Sequence, residues 1–303
     1  MTKRNLETNA AGHLTFGGCD TVALAEKYGT PLYVMDGDQI ESNMQTCMQA
    51  MAQHFASYKV FYASKAMITK AICKMAKKNG LHLDVVSGGE LYVALQAGFP
   101  GERISMHGNV KTPQELEMAL TNHVTLVADS LDELGDIEAM AQKLGMRAKV
   151  MLRITPGIEA HTHEYIQTGT YDCKFAVGIV DGQAMQGIKT IIASNEMDFM
   201  GIHCHIGSQI LSDEPYDPAG VRMAEFALEV EKETGVRVPE IVMGGGFGIH
   251  YAGDEIPKPI SAYIQKMADG LNRVYQKATI CNCFRRNARN SHAATNSAKI
   301  TMK

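Results

Sequence analysis

The sequence contains no tryptophan, and aromatic residues fill only 7% of its 303 positions. No apolar run approaches the ~20 residues that a membrane-spanning helix needs, so a membrane partner is not expected. The opening residues, Met1-Thr2-Lys3-Arg4-Asn5-Leu6-Glu7, lead into no apolar segment. A secretory signal is therefore not expected, and a cytoplasmic location is. Seven cysteines are scattered over positions 19, 47, 73, 173, 204, 281 and 283. An odd, dispersed set suits a reducing compartment better than a disulfide framework. Cys281-Asn282-Cys283 is too short and isolated to hold zinc, and no metal is expected. Acidic residues are missing from 278–303, which carry Arg285, Arg286, Arg289, Lys299 and Lys303, although the whole chain has a net charge of −4. The remainder is thus acidic, which argues against nucleic acid as the partner.

What is present is a globular composition, 45% apolar and 20% charged, with length enough for a large core. From residue 58 onward, short strand-like runs alternate with amphipathic helical stretches. The strands are expected at 58–63, 83–86, 104–107, 124–128, 149–154, 200–205 and 240–243. Helices are expected near 68–79, 88–97, 112–121, 131–144, 183–194, 221–234 and 259–276. Thr112-Pro113-Gln114-Glu115 reads as a cap, a proline at the first helical position and an acid in the first turn. Before this rhythm, 20–28 reads as a helix and 31–35 as a strand. The connection 156–179 is longer than usual and rich in polar groups, as functional loops often are.

Both a doubly wound sheet and a closed barrel alternate in this way. The polar residues discriminate between them. Lys65, Ser87, His107, Asn109, Asp129, Arg153, His203, His205 and Gly244 all fall at or just beyond the C-terminal ends of different strands. Active groups drawn from many strand ends around one face are the barrel arrangement, whereas a doubly wound sheet gathers them at one switch point. The expected fold class is α/β, a (β/α)8-type barrel.

Lys65 follows the strand-like run Tyr58-Lys59-Val60-Phe61-Tyr62-Ala63. A lysine held at the exit of a buried strand loses solvation, which disfavours the ammonium and frees the amine to attack a carbonyl. The ordinary alternative is a lysine whose head reaches water. Met243-Gly244-Gly245-Gly246-Phe247-Gly248 follows the seventh strand, where glycines allow backbone N–H groups to approach and cradle a phosphate. Alternation sends His203 and His205 to one face of the sixth strand. They could be a metal pair without a third ligand, an imidazole lying on an aromatic cofactor, or satisfied core histidines. Ser208 could donate to a phosphate. Ser87 and Glu90 have capping-box spacing. The 19 methionines read as core filler.

Taken in order, these residues resemble the diaminopimelate decarboxylases, barrel enzymes of the alanine-racemase-like class that use pyridoxal phosphate. The resemblance runs from about residue 14 to 277. It is carried by Gly29-Thr30-Pro31-Leu32-Tyr33-Val34, Tyr62-Ala63-Ser64-Lys65-Ala66, His107-Gly108-Asn109-Val110-Lys111, the run 161–169, the run 203–209 and the glycine loop 244–248. Ornithine and arginine decarboxylases share the lysine and the glycine loop, while 161–169 and Gln209 favour diaminopimelate. The resemblance implies that Lys65 and His205 are catalytic, Lys65 as the lysine that binds the cofactor and His205 stacked on its ring. It implies that Asp84, Ser208, Gly244, Gly245 and Gly246 also bind the cofactor. The implied reaction is decarboxylation of meso-2,6-diaminopimelate to L-lysine and CO2 by a homodimer. The competing readings are a non-catalytic cofactor binder or dimerisation decoy, and a racemase-like one-domain barrel.

The family pattern breaks in two ways. Cys173-Lys174-Phe175-Ala176 stands where Ser-Lys-Phe-Gly is usual, and Met67 where Asn is usual. From 278 onward, the strand ending in Glu-Pro-Gly-Arg and the β-domain expected after it are missing. The sequence divides into an N-terminal segment 1–35, a barrel domain 36–277 and a basic tail 278–303, the last expected to be alien, out-of-frame and disordered. On that reading strand eight is absent, the first and seventh strands face each other across a gap, and activity is low.

Overall fold

The computed structural model describes residues 5–158, 175–250, 256–285 and 297–302. The chain divides into two units, Met1–Gln45 and Thr46–Lys303. In the first, β1 (Leu6–Thr8), β2 (Leu14–Phe16) and β3 (Cys19–Asp20) form a small antiparallel sheet in that order. The helix α1 (Thr21–Tyr28) follows, capped by Asp20, whose carboxylate accepts from the Val22 and Ala23 N–H groups. His13, beside the same carboxylate, is the main reason its pKa falls to about 2. The strand expected at 31–35 does not form. That segment is extended but has no ladder partner among the described residues, and Tyr33 is 94% exposed. Pro31 lacks the N–H that a ladder position needs.

The chain continues through α2 (Gly37–His54) into the alternating part: β4 (Ser57–Ala63), α3 (Lys70–Lys78), β5 (His82–Val85), α4 (Gly88–Gln96), β6 (Ile104–Met106), α5 (Pro113–Thr121), β7 (Thr125–Ala128), α6 (Leu131–Leu144) and β8 (Ala148–Thr155). After the two-residue β9 (Val177–Gly178) come α7 (Gln183–Ala193), β10 (Met197–His203), α8 (Tyr216–Thr234), β11 (Ile241–Val242), α9 (Ile260–Arg285) and β12 (Ser297–Met302). Local chemistry sets these boundaries. Thr69, Ser87, Thr112 and Ser130 each accept a backbone N–H at a helix start, Thr112 in a full capping box with Glu115. Gly145 and Gly235 end α6 and α8 in the left-handed conformation.

Strands β4 through β8 pair in sequence and in parallel, β8 pairs β10, and β10 pairs β11. The strands β5, β6 and β7 are buried at every position but His82, because helices cover their outer face and the barrel interior covers the other. The ring then closes through the tail. β12 lies parallel to β4 over six positions, from Ser297 opposite Ser57 to Met302 opposite Tyr62, and beside β11 at Ala298 and Lys299. This corrects the expected gap: the eighth place in the ring is filled, and α9 runs on to Arg285 past the anticipated break at 278. The physical reason is backbone demand. Two facing strand edges present rows of N–H and C=O groups, and a six-residue segment without proline satisfies them whatever its origin. No described helix is long and apolar enough to cross a membrane.

Candidate active site

Lys65 sits in a 3-10 turn, Ser64–Ala66, at the exit of β4. Ser64 is buried while Lys65 opens to the mouth of the barrel. Its surroundings are nonetheless dense enough that desolvation lowers its pKa, assisted by the Arg153 guanidinium and opposed by Asp84 and Glu90. Glu90, one turn into α4, accepts the Val86 N–H at 2.7 Å, and burial raises its pKa. Ser87 accepts from Glu90 N at 3.3 Å, so the capping geometry read from the sequence is present, with the Glu90 carboxylate turned to Val86.

Asp84, near the end of β5, is buried and lies 3.4 Å from His107 Nε2. The His107 ring packs edge-on against that of His203, their centroids 4.6 Å apart. Burial, helped by His107 and Arg153, holds His203 well below the usual imidazole range, so it is neutral. β10 stops at His203, and alternation no longer governs His205. His205 instead lies against the glycine loop: a Cβ on Gly244 would stand 2.9 Å from His205 Nδ1, and one on Gly246 would stand 3.3 Å from its Cε1. Among the described residues, no three His, Cys, Asp or Glu side chains converge as metal ligands.

The two loops after β10 and β11 are stitched together. Ile210 N donates to Gly246 O at 2.9 Å, and Gly248 N donates to Ile210 O at 2.8 Å. Gln209 holds Ile249 from both sides, donating to its carbonyl and accepting from its N–H. Ser208 belongs to the first of these loops. Gly244 and Gly246 have φ of +67° and +88°, and a Cβ on Gly246 would meet Gly207 O at 1.9 Å. Beneath them the buried Tyr216 hydroxyl donates to Gly245 O at 3.0 Å, and Phe247 stacks on Tyr263 at 5.0 Å. The N–H groups of Gly244, Gly245 and Gly246 donate to no described residue, though all three glycines are buried. Left-handed glycines such as Gly244 and Gly246 can turn successive N–H groups toward an anion.

A second polar cluster runs along the wall. Lys111 Nζ donates to Gly108 O, Val127 O and Glu133 Oε1, and Glu133 Oε2 accepts from Asp129 N. Asp129 Oδ1 accepts from Arg153 Nη1 at 3.1 Å, and the Arg153 guanidinium lies 4.7 Å over the Phe175 ring. Asp129 and Arg153 are visible in the sequence as strand-end groups. Glu133 is not, because an acid in the first turn of a helix has an ordinary reading. The runs 161–169 and Cys173-Lys174 lie outside the described residues.

Residues 39–283 match the family described as pyridoxal-dependent decarboxylase, pyridoxal binding domain. The chain belongs to this family. It is 41% identical over 268 residues to a diaminopimelate decarboxylase of Bacillus methanolicus, covering 88% of this chain and 62% of that one. The identity is 42% over 269 residues to a diaminopimelate decarboxylase of Bacillus subtilis, covering 87% of this chain and 60% of the relative. A diaminopimelate decarboxylase from M. jannaschii, solved in complex with L-lysine, superposes with a TM-score of 0.82 at 32% identity, over 98% of this chain and 66% of that one. The chain thus spans about three fifths of the length of the curated relatives it matches.

The residues present suit the family's cofactor, pyridoxal phosphate. An amine of lowered pKa stands at one strand end, and a buried glycine turn whose N–H groups donate to no described residue follows β11.

One departure from the family pattern has a conformational cost. Ala176, where glycine is usual, has φ of +70°. A left-handed residue with a Cβ costs roughly 1–2 kcal/mol, so Ala176→Gly is expected to raise stability by about 1 kcal/mol, less what glycine's extra unfolded-state freedom removes. Urea unfolding monitored by far-ultraviolet circular dichroism measures this; an unchanged or lowered midpoint contradicts it.

Proposed function

We propose that this chain is the barrel portion of a decarboxylase that converts meso-2,6-diaminopimelate to L-lysine and CO2, with pyridoxal phosphate joined to Lys65. The observation that carries this reading is the Lys65 amine at the exit of β4, its pKa lowered by desolvation, within the fields of Arg153 on β8, Asp84 on β5 and Glu90 on α4. Bound pyridoxal phosphate supplies the electron sink for the pair released when the α-carboxylate leaves as CO2.

The chain's own residues do the rest. Lys65 would supply the amine that holds the cofactor, and desolvation, which lowers its pKa, favours the free-amine form. The N–H groups of Gly244, Gly245 and Gly246, with Ser208, hold the phosphate. His205, pressed against that loop, offers its ring as a stacking surface. Asp84 steadies His107, which in turn packs against the neutral His203. We take Asp84 to bear on the cofactor through this cluster. A cytoplasmic homodimer is the assembly proposed.

A second reading is favoured by one sequence observation. The ring-closing segment Ser297-Ala298-Lys299-Ile300-Thr301-Met302 carries no acid and no Glu-Pro-Gly-Arg. Without such an acid the ring nitrogen lacks a partner, and the chain binds the cofactor but turns over slowly or not at all.

One experiment separates the two. Adding pyridoxal phosphate to the full chain is expected to give an absorbance band near that of a lysine-bound cofactor, abolished in Lys65→Ala. Release of CO2 from meso-diaminopimelate then distinguishes enzyme from binder. A band that persists unchanged in Lys65→Ala would sink both readings.

A further inference from the structure

We propose that Lys111 and Glu133 are a buried positioning pair which, acting through Asp129, sets the Arg153 guanidinium against Lys65. The inference rests on reading Lys65 as the reactive lysine, and it adds two residues that do not touch the reacting centre.

The contacts form a continuous chain. Lys111 Nζ has three donors and three acceptors: Gly108 O at 2.9 Å, Val127 O at 2.8 Å and Glu133 Oε1 at 2.5 Å. The Lys111 side chain is 1% exposed and that of Glu133 is 7% exposed. The second Glu133 oxygen accepts the Asp129 N–H at 2.7 Å, and Asp129 Oδ1 accepts from Arg153 at 3.1 Å. Phe175 covers the guanidinium face.

Helix capping does not account for this arrangement. Ser130 already accepts the Glu133 N–H at 3.2 Å and caps α6 without help from the carboxylate. A buried ion pair is weak evidence for stability, because desolvation of both charges offsets their attraction. Such a pair is better explained by what it orients. Here it fixes the backbone of Asp129 just beyond β7, and Asp129 in turn holds the guanidinium of Arg153 on β8.

The electrostatics of Lys65 respond to the far end of this chain. The charges acting on Lys65 are those of Arg153 from β8, Asp84 from β5 and Glu90 from α4, while His203 from β10 is neutral. Arg153 is the one that favours the free amine. Displacing its guanidinium therefore raises the pKa of Lys65 and lowers the free-amine fraction at neutral pH.

The test reads Lys65 without cofactor. Acylation of the full chain by acetic anhydride is followed against pH, with the Lys65 peptide quantified by mass spectrometry. Arg153→Met is expected to slow Lys65 acylation at pH 7 roughly threefold, with the pH profile displaced upward. Glu133→Ala is expected to reproduce most of that slowing. Glu133→Gln has one acceptor oxygen for two donors, the Lys111 ammonium and the Asp129 N–H, and is expected to slow the reaction as well. Glu133→Asp, one methylene short of reaching both partners, serves if Glu133→Ala does not fold, and is expected to slow the reaction likewise.

A purely structural pair would lower the unfolding midpoint and leave the acylation profile in place. A native profile in Glu133→Ala or Glu133→Asp, with Arg153→Met slowed, overturns the inference, as does a native profile in Arg153→Met. Failure of wild-type protein to show the cofactor band would count against the proposed function alone, because these rates are read in its absence.

Discussion

Gly246→Ala is expected to weaken pyridoxal phosphate binding at least about a hundredfold, a change of roughly 2.7 kcal/mol. The new Cβ would stand 1.9 Å from Gly207 O, far inside contact distance, at a residue whose φ of +88° already disfavours any side chain. Neither neighbour can yield cheaply. Gly246 O accepts from Ile210 N, the Gly248 N–H returns to Ile210 O, and Tyr216 pins Gly245 from below. The loop must therefore shift as a whole, carrying with it the N–H groups proposed to hold the phosphate. Gly235→Ala is the matched control, since its φ is +72° but nothing lies within 4 Å of the added carbon. It is expected to cost about 1 kcal/mol of stability and no affinity. Titrating each variant with pyridoxal phosphate by absorbance separates clash from strain. Equal affinity in Gly246→Ala and wild type would show that the loop is not the phosphate site.

Ile300→Pro is expected to destabilise the barrel by about 3 kcal/mol or more. β12 is the strand that joins β11 to β4, and it does so through backbone groups alone on this argument. A proline at its fourth position removes one N–H from the ladder, and its ring crowds the neighbouring backbone. Ile300→Val keeps the β-branched character and is expected to unfold within about 0.5 kcal/mol of wild type. Guanidinium unfolding of both variants is the measurement. If Ile300→Pro unfolds at the wild-type midpoint, β12 does not hold the ring closed. The same pair also bears on solubility, because an opened ring exposes the edges of β4 and β11 to other chains.

The alternating part of the fold was legible because its signals are local. Thr112, Ser130, Gly145 and Gly235 mark helix ends by side-chain and backbone chemistry that does not depend on distant contacts. The strands β5, β6 and β7 are buried at nearly every position and are rich in apolar residues. The segment 31–35 misled for the complementary reason. Its apolar and aromatic content suits a strand, but a strand exists only when a partner supplies its hydrogen bonds, and none of the described residues does. The tail misled in the opposite direction. Its composition gives little strand signal, and the demand of two open edges outweighs propensity.

The sequence by itself determined the α/β rhythm, the place of Lys65 at a strand exit, and the glycine loop one strand from the ring's close. These depend on periodicity and on residue types with few alternatives. Only the tertiary structure decided which of those residues meet. It separated His203, packed on His107, from His205, packed on the glycine loop. It joined Lys111 to Arg153 through Glu133 and Asp129, residues from the connection after β6, from β8, from α6 and from just beyond β7. And it closed the ring with residues 297–302, each lying 240 positions beyond its partner in β4. Each of these is a contact between segments remote in sequence, set by parallel register around the ring, and register is a property of the closed sheet rather than of any one of its strands.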